Sequence, residues 1–427
     1  MNRVLVLGSG GREHAISYAL SKSPILSKLY CAPGNPGTAS VAENIPLKIS
    51  DFKSIASIIK EKAINVVVVG PENPLVDGLR DYLECEGILE NVIFVGPGKD
   101  GAQLEGSKEF AKEFMSRWSI PTARYKTFDK SSLDDALNFL KTLSSPFVLK
   151  ADGLAAGKGV MIPETLECAE QDLKEMMSGK FGKAGDRVVI EEYLNGIELS
   201  VFILTDGKDY LLLPSAKDYK RIGEGDKGAN TGGMGAVSPV PFANEVFMKK
   251  VEERIIKPTL RGFSEERIDY KGFIFIGLMN CSGDPFVIEY NVRMGDPETE
   301  AVMPRIKSDL LSHFLAMGKG ELKEEKIEVT DEFSIAVVAV SGGYPDEFKR
   351  GVPILVEESS ESLFFHSGTL ISNGSLVTAG GRVMVVSAMA KDIKSASEKA
   401  YKELNKISFE NMYYRRDLGK DLLKYKE

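Results

Sequence analysis

The chain opens with short apolar runs punctuated by glycine. Residues 3–7 (Arg-Val-Leu-Val-Leu) run into Gly8-Ser9-Gly10-Gly11, and a helix is expected to open near Arg12. Further apolar runs follow at Leu29-Tyr30-Cys31, Val66-Val67-Val68-Val69 and Val92-Ile93-Phe94-Val95. Between them, Phe52, Ile55, Ile58 and Ile59 fall on one helical face. Strands alternating with helices, each strand ending in glycine or Pro-Gly, predict a parallel, Rossmann-like α/β sheet. Its loops at 8–11, 33–38, 70–74 and 96–98 would gather at the carboxyl edge, where such sheets bind ligands.

From about residue 103 the pattern changes. A helix over 107–118 leads to short strands around 123–128, 147–150, 159–162 and 187–192, with helices at 132–143 and 164–178 between them. Longer strands follow at 197–204, 209–214, 271–279 and 285–290, with helices near 244–261 and 308–317. Beyond the charged stretch Lys319–Glu328, short strands dominate and a helix over 390–406 closes the chain. A chain of 427 residues exceeds what one hydrophobic core usually serves. The economical division is an α/β block over 1–102, an α+β block over 103–325 with a mobile subdomain at about 122–192, and a strand-rich block over 326–427.

Composition narrows the function. The net charge of −8 argues against a general nucleic-acid surface, which would be basic. The four cysteines (Cys31, Cys85, Cys168 and Cys281) show no metal-ligand spacing and read as reduced thiols, and three histidines leave little for a zinc site. No apolar stretch approaches bilayer length and the first residues do not read as a signal peptide, so a cytoplasmic protein is expected.

The richest chemistry comes after the apolar run Pro285-Phe286-Val287-Ile288. Glu289, Asn291 and Arg293 are spaced two apart, so on a strand they share one face. A carboxylate beside an amide oxygen offers the hard donors that Mg²⁺ accepts, and an arginine one step on can fork a phosphate or carboxylate. The acidic turn Gly295-Asp296-Pro297-Glu298 comes next. A half-buried strand with a polar wet face accounts for the segment equally well.

Gly8-Ser9-Gly10-Gly11-Arg12-Glu13 has Glu13 where a dinucleotide fingerprint needs its third glycine, and the second strand ends in Cys31-Ala32-Pro33-Gly34 with no ribose-binding acid. Gly153-Leu154-Ala155-Ala156-Gly157-Lys158-Gly159 is one residue short of a P-loop and reads instead as a mobile flap between strands, with Lys150 and Lys158 supplying charge. A solvated hairpin turn is the plainer alternative. Val188 through Leu194, with Glu198 beyond, is a strand running into a hinge whose backbone can read an adenine edge. Lys217 to Arg221 and Asp226 to Gly235 form a charged turn feeding a polar loop, long enough to suggest a ligand loop.

Taken in order, these segments resemble the ATP-grasp superfamily and, within it, the phosphoribosylamine–glycine ligase family. Gly8 to Ala15, Pro33 to Thr38, Leu104 to Lys108, Lys150 to Val160, Asn230 to Gly235, Gly295 to Glu298, Ser341 to Pro345 and Tyr414 to Asp417 carry the likeness almost end to end. The family commonly has His at Tyr219, Pro at Ala229, Phe at Met294 and Gln at Glu300. The resemblance implies an ATP-grasp fold and an ADP-forming ligase that joins glycine to 5-phosphoribosylamine through a glycyl phosphate, in purine synthesis. It implies ATP with Mg²⁺ (or Mn²⁺) held by Glu289 and Asn291. Lys108, Lys150, Gly157 and Lys158 would face phosphates. Glu191, Glu192, Tyr193, Leu194 and Glu198 would hold adenine and ribose, with Arg221 and Asn230 near the triphosphate. Asp218, Arg293 and Asp296 would orient glycine or the amine. No nucleic acid or membrane partner is expected, and the working form would be a monomer or weak homodimer. Another ATP-grasp enzyme such as a carboxylase, a dinucleotide-dependent oxidoreductase and a non-catalytic nucleotide module are the rivals.

Overall fold

A computed structural model describes residues 1–154, 159–357 and 361–425. The alternating first block forms a five-stranded, all-parallel sheet in the order Glu43–Asn44, Leu26–Pro33, Asn2–Gly8, Val66–Val69, Ile93–Val95. Val4 to Leu7 and Val66 to Val69 are buried on both faces, as expected of strands covered by helices on either side. The Gly11–Ser21 helix starts where the Gly8 to Gly10 turn ends. Glu13 folds back there, and its carboxylate accepts the Gly10 N–H at 2.5 Å. A Cβ on Gly70 would stand 1.9 Å from Glu13 Oε1, so only glycine fits beside that carboxylate. The anion at this helix start is therefore the chain's own, which closes the place a dinucleotide would use.

The middle block contains two antiparallel four-stranded sheets. One runs Tyr125–Asp129, Arg187–Glu192, Phe147–Ala151, Val160–Met161. Phe128, Leu140, Leu149, Leu173 and Ile190 pack in a core cluster separate from those of the rest of the molecule. The other runs Tyr210–Leu212, Ile197–Thr205, Gly272–Cys281, Asp284–Asn291. Thr122 bridges to Val287 and the Val287 N–H donates to the Pro121 carbonyl at 2.8 Å, so the second sheet anchors the entrance to the first.

A last five-stranded antiparallel sheet runs Lys217–Asp218, Gly235–Ser238, Phe333–Val340, Arg382–Ala390, Leu363–His366. Two of its strands come from the middle of the chain, which ties residues 217–238 to the C-terminal block. The stretch after Arg221 is not an open loop: Arg221–Gly223 pairs with Lys227–Asn230 as a hairpin. The helical region near 244–261 continues to Glu266, through a wider turn at Glu252–Ile256.

Candidate active site

Asp284–Asn291 is an edge strand whose pairing slips by one residue: Leu278 faces Val287, but Gly277 faces Glu289. Ile288 is thus an extra residue, a bulge that re-aims the side chains beyond it. Opposite Glu289 there is no side chain, and a Cβ on Gly277 would lie 3.2 Å from Glu289 Cγ. Asn291 comes two residues later, at the strand's end.

Around Glu289 stand four cations from four segments. Burial works against its ionisation, but Lys220, Lys150, Lys108 and Arg293 outweigh that and hold the carboxyl below its ordinary range. The Glu289 carboxylate makes no hydrogen bond or ion pair with any described residue. Lys150 comes from the Phe147–Ala151 strand; its ammonium donates to the bulged Ile288 carbonyl at 3.1 Å and pairs with Glu191 Oε1 at 2.8 Å. Lys108 opens the Lys108–Arg117 helix and donates to the Gly153 carbonyl at 3.1 Å. Asp152 clamps that helix start by accepting the Glu109 N–H at 2.7 Å. Lys220 pairs with Glu198. It shares a face with Asp218, whose acidity is depressed by burial, against the pull of Lys220 and with the repulsion of Glu298 and Glu198.

Asn291 Oδ1 accepts from the Arg293 guanidinium at 3.2 Å, and the same guanidinium pairs with Glu105 at 2.7 Å and lies 3.6 Å from Glu72. A second charged cluster continues toward the first sheet. Arg12 pairs with Glu13 at 2.7 Å and donates to the Met294 carbonyl, while Arg382 pairs with Asp296 at 3.0 Å and donates to the Asp296 and Gly232 carbonyls. Asp296 therefore sits at the meeting of all three blocks. A cleft of about 620 Å³ opens nearby in the chain's first block, lined by Ser9, Pro33 and Pro46 to Ser50, at the carboxyl edge of the parallel sheet.

Of the residues named from sequence, Glu289, Asn291, Arg293, Lys108, Lys150, Asp218 and Glu198 converge on one charged region. Gly157 and Lys158 lie outside the described residues. The Glu191 carboxylate points into a buried pair of lysines, Lys112 and Lys150, each at 2.8 Å. Its backbone is paired in the sheet with Tyr125 and Val148. Glu192 accepts the Arg124 N–H at 2.8 Å, and with exposed Tyr193 it lines a hinge cleft of about 390 Å³. Leu194 is half-buried in the same turn. Arg221 and Asn230 face each other across the hairpin, and the Arg221 guanidinium donates to the Gly228 carbonyl at 2.9 Å.

Tyr219 is turned away from this region. It is buried, and its hydroxyl donates to Asp421 at 2.6 Å and accepts the Gly419 N–H at 3.0 Å, with Lys217 Nζ 3.7 Å from its ring centroid. Sequence reasoning overlooked Lys220 and Lys112. The signal for Lys220 was available: two residues from Asp218, it is on the same face. Lys112 was marked only by its place one helical turn after Lys108.

The donor set suits a hard divalent cation. Among the described residues no group of three or more His, Cys, Asp or Glu could hold a metal. The site offers instead one unpartnered carboxylate with an amide oxygen beside it, ringed by ammonium groups. Mg²⁺ is commonly bound this way, through one or two protein oxygens with phosphate and water completing the shell.

Known proteins resemble this chain over most of its length. Three family profiles match: the phosphoribosylglycinamide synthetase N domain over residues 2–105, its ATP-grasp (A) domain over 106–299 and its C domain over 334–421. A phosphoribosylamine–glycine ligase of Caldanaerobacter subterraneus subsp. tengcongensis is 44% identical over 419 residues, covering 98% of this chain and 99% of that protein. One of Agrobacterium fabrum is 43% identical, covering 98% of each. The crystal structure of phosphoribosylamine–glycine ligase from Thermotoga maritima superposes with a TM-score of 0.85 at 37% identity, over 97% of this chain and 99% of that one. A biotin carboxylase domain of Hydrogenobacter thermophilus 2-oxoglutarate carboxylase, in complex with MgADP and bicarbonate, shares the fold at 17% identity and a TM-score of 0.71, over 96% of this chain and 91% of that one.

Proposed function

The chain belongs to the phosphoribosylglycinamide synthetase family, and on that premise we propose that it joins glycine to 5-phosphoribosylamine with ATP, releasing ADP and phosphate. A carboxylate oxygen is a poor leaving group, so the glycine carboxyl must first be activated. Attack of a glycine oxygen on the γ-phosphorus forms glycyl phosphate and breaks the bond to ADP. The amine of phosphoribosylamine then attacks the acyl carbon, phosphate departs with the C–O bond electrons, and the amine loses a proton.

In such a reaction the protein mainly positions groups and neutralises charge. Lys108 and Lys150 face the phosphates, Glu191 to Leu194 and Glu198 border the nucleoside, and Arg221 and Asn230 border the triphosphate. A bound Mg²⁺ (or Mn²⁺), held by Glu289 and Asn291, would draw charge off the bridging phosphate oxygens. Arg293, fixed by Glu105 and Asn291, is placed to meet a carboxylate, and Asp218 and Asp296 lie to either side. The cleft at Ser9, Pro33 and Lys48 is our choice for the sugar phosphate. We also assign the three blocks boundaries near residues 102 and 325, with the small sheet as the moving part, and place the reaction in the cytoplasm. The observation that carries the reading is the unpaired Glu289 carboxylate inside its ring of cations. The test is ADP release by the purified protein with Mg²⁺: it should require glycine and freshly made phosphoribosylamine together. Release triggered equally by bicarbonate, or by neither substrate, would defeat it.

A further inference from the structure

Lys112 is 2% exposed and belongs to no role assigned so far. It lies four residues after Lys108 on the Lys108–Arg117 helix, so both lysines leave the same face. Its ammonium makes two contacts that lead to the site by separate routes. It pairs with Glu191 Oε2 at 2.8 Å, and the other oxygen of that carboxylate pairs with Lys150 at 2.8 Å. It also donates to Thr122 Oγ1 at 2.7 Å, and Thr122 donates in turn to the Val287 carbonyl at 2.7 Å, one residue before the Ile288 bulge.

We propose that Lys112 is a positioning residue for the nucleotide: through Glu191 it sets the place and effective charge of Lys150, and through Thr122 it holds the bulge that aims Glu289. The inference rests on reading this region as the ATP site. Lys112, Glu191 and Lys150 together carry one net positive charge. Without the Lys112 charge, Glu191 cancels Lys150, and the group no longer attracts a triphosphate. The same loss frees one oxygen of Glu191 and the hydroxyl of Thr122, so Lys150 and the bulge lose their common brace. Burial pulls the Lys112 ammonium down to about 8, against Glu191 and with the repulsion of Lys150. The groups facing it are Glu191, Lys150, Thr122, Glu192 and the ring of Tyr125, 5.5 Å away.

The test is the affinity of the full-length protein for a non-hydrolysable ATP analogue with Mg²⁺, compared in wild type, Lys112→Met, Lys150→Met and the double variant. Lys112→Met should weaken binding roughly 10-fold, the size expected of one unit charge removed at about 12 Å with an effective dielectric constant of about 20. In the Lys150→Met background the same change should cost less, because the part carried through Lys150 is already lost and only the Thr122 route to the bulge remains. Unchanged affinity in Lys112→Met, or an equal penalty in both backgrounds, would overturn the proposal. A second arm covers the case in which Lys112→Met does not fold. From about pH 7 to about pH 9 wild-type affinity should fall as Lys112 loses its proton, whereas Lys112→Arg, always charged, should hold level; parallel profiles would overturn the proposal. Tight wild-type binding with no Lys112 effect would leave the nucleotide site standing, and no wild-type binding would remove both.

Discussion

Replacing Lys150 by methionine removes one ammonium while keeping the side chain's length, and the structure lets both consequences be sized. The lysine side chain is 5% exposed and that of its partner Glu191 is 4% exposed, with 2.8 Å between the paired atoms. Orphaning a buried charge costs about 3–5 kcal/mol, but here Lys112 still compensates Glu191. The variant loses its ion pair with Glu191 and its hydrogen bond to the Ile288 carbonyl, so about 2 kcal/mol of stability is expected to go. A unit charge about 4 Å from a phosphate is worth about 4 kcal/mol at an effective dielectric constant of about 20. Lys108 and Lys220 remain and share that attraction, so about 2–3 kcal/mol is a fair share, or roughly 100-fold in Kd. Urea unfolding reads the first quantity and calorimetric titration with the Mg²⁺-bound analogue reads the second. The variant should remain folded at room temperature, with its midpoint lowered and its m-value unchanged. A variant less stable by the expected amount yet binding nucleotide as wild type would show that Lys150 only braces the sheet, and the site reading would then be wrong.

Glu289→Ala should abolish Mg²⁺-dependent ADP release while leaving the protein folded, with Tm lowered only by the loss of its attraction to the four surrounding cations; near-normal turnover would refute its assignment as a ligand. His14 and His366 are held neutral: burial takes them down to about 3 and about 4, with His366 opposing a charge on His14, whose Nδ1 accepts the His366 backbone N–H at 2.9 Å. The unfolded chain then binds more protons below about pH 6.5, so stability is complete above that value. As pH falls toward about 4 it should be lost at up to about 1.4 kcal/mol per pH unit per histidine, and a urea midpoint equal at pH 7 and pH 5 would contradict this. Glu300 is fully buried, neither oxygen has a hydrogen-bond partner among the described residues, and burial with Asp296 nearby raises it well above its ordinary range despite Arg382. A carboxyl raised in the fold destabilises at pH values above its unfolded value of about 4.3, so Glu300→Gln should raise Tm at about pH 8, by the equivalent of about 1–3 kcal/mol; no gain, or a gain independent of pH, would count against it.

Local pattern made much of this protein legible. The alternation of apolar runs and helical faces was enough for the parallel sheet, because strands covered on both sides need continuous hydrophobic sequence. Two-residue spacing placed Glu289 and Asn291 on one face, and the missing third glycine at Glu13 argued against a dinucleotide. Short strands were harder to read: Gly235–Ser238, fully buried, is too brief to show a period, and only its pairing with Phe333–Val340 makes it a strand. The polar stretch after Arg221 read as a loop because its hairpin depends on Arg221 meeting Asn230.

By itself the sequence determined which side chains share a face, since the period of a strand or helix is a property of the backbone alone. The tertiary structure decided what each face meets. It alone turned the Glu191 carboxylate toward two lysines, sent the Tyr219 hydroxyl to Asp421, and brought Lys108, Lys150 and Lys220 from three distant segments around one carboxylate. The one-residue slip at Ile288 has the same origin: it is set by the partner strand and by a lysine from another sheet, and no local spacing records it. Charge balance in a buried site is a sum over segments far apart in the chain, so it exists only once the chain has folded.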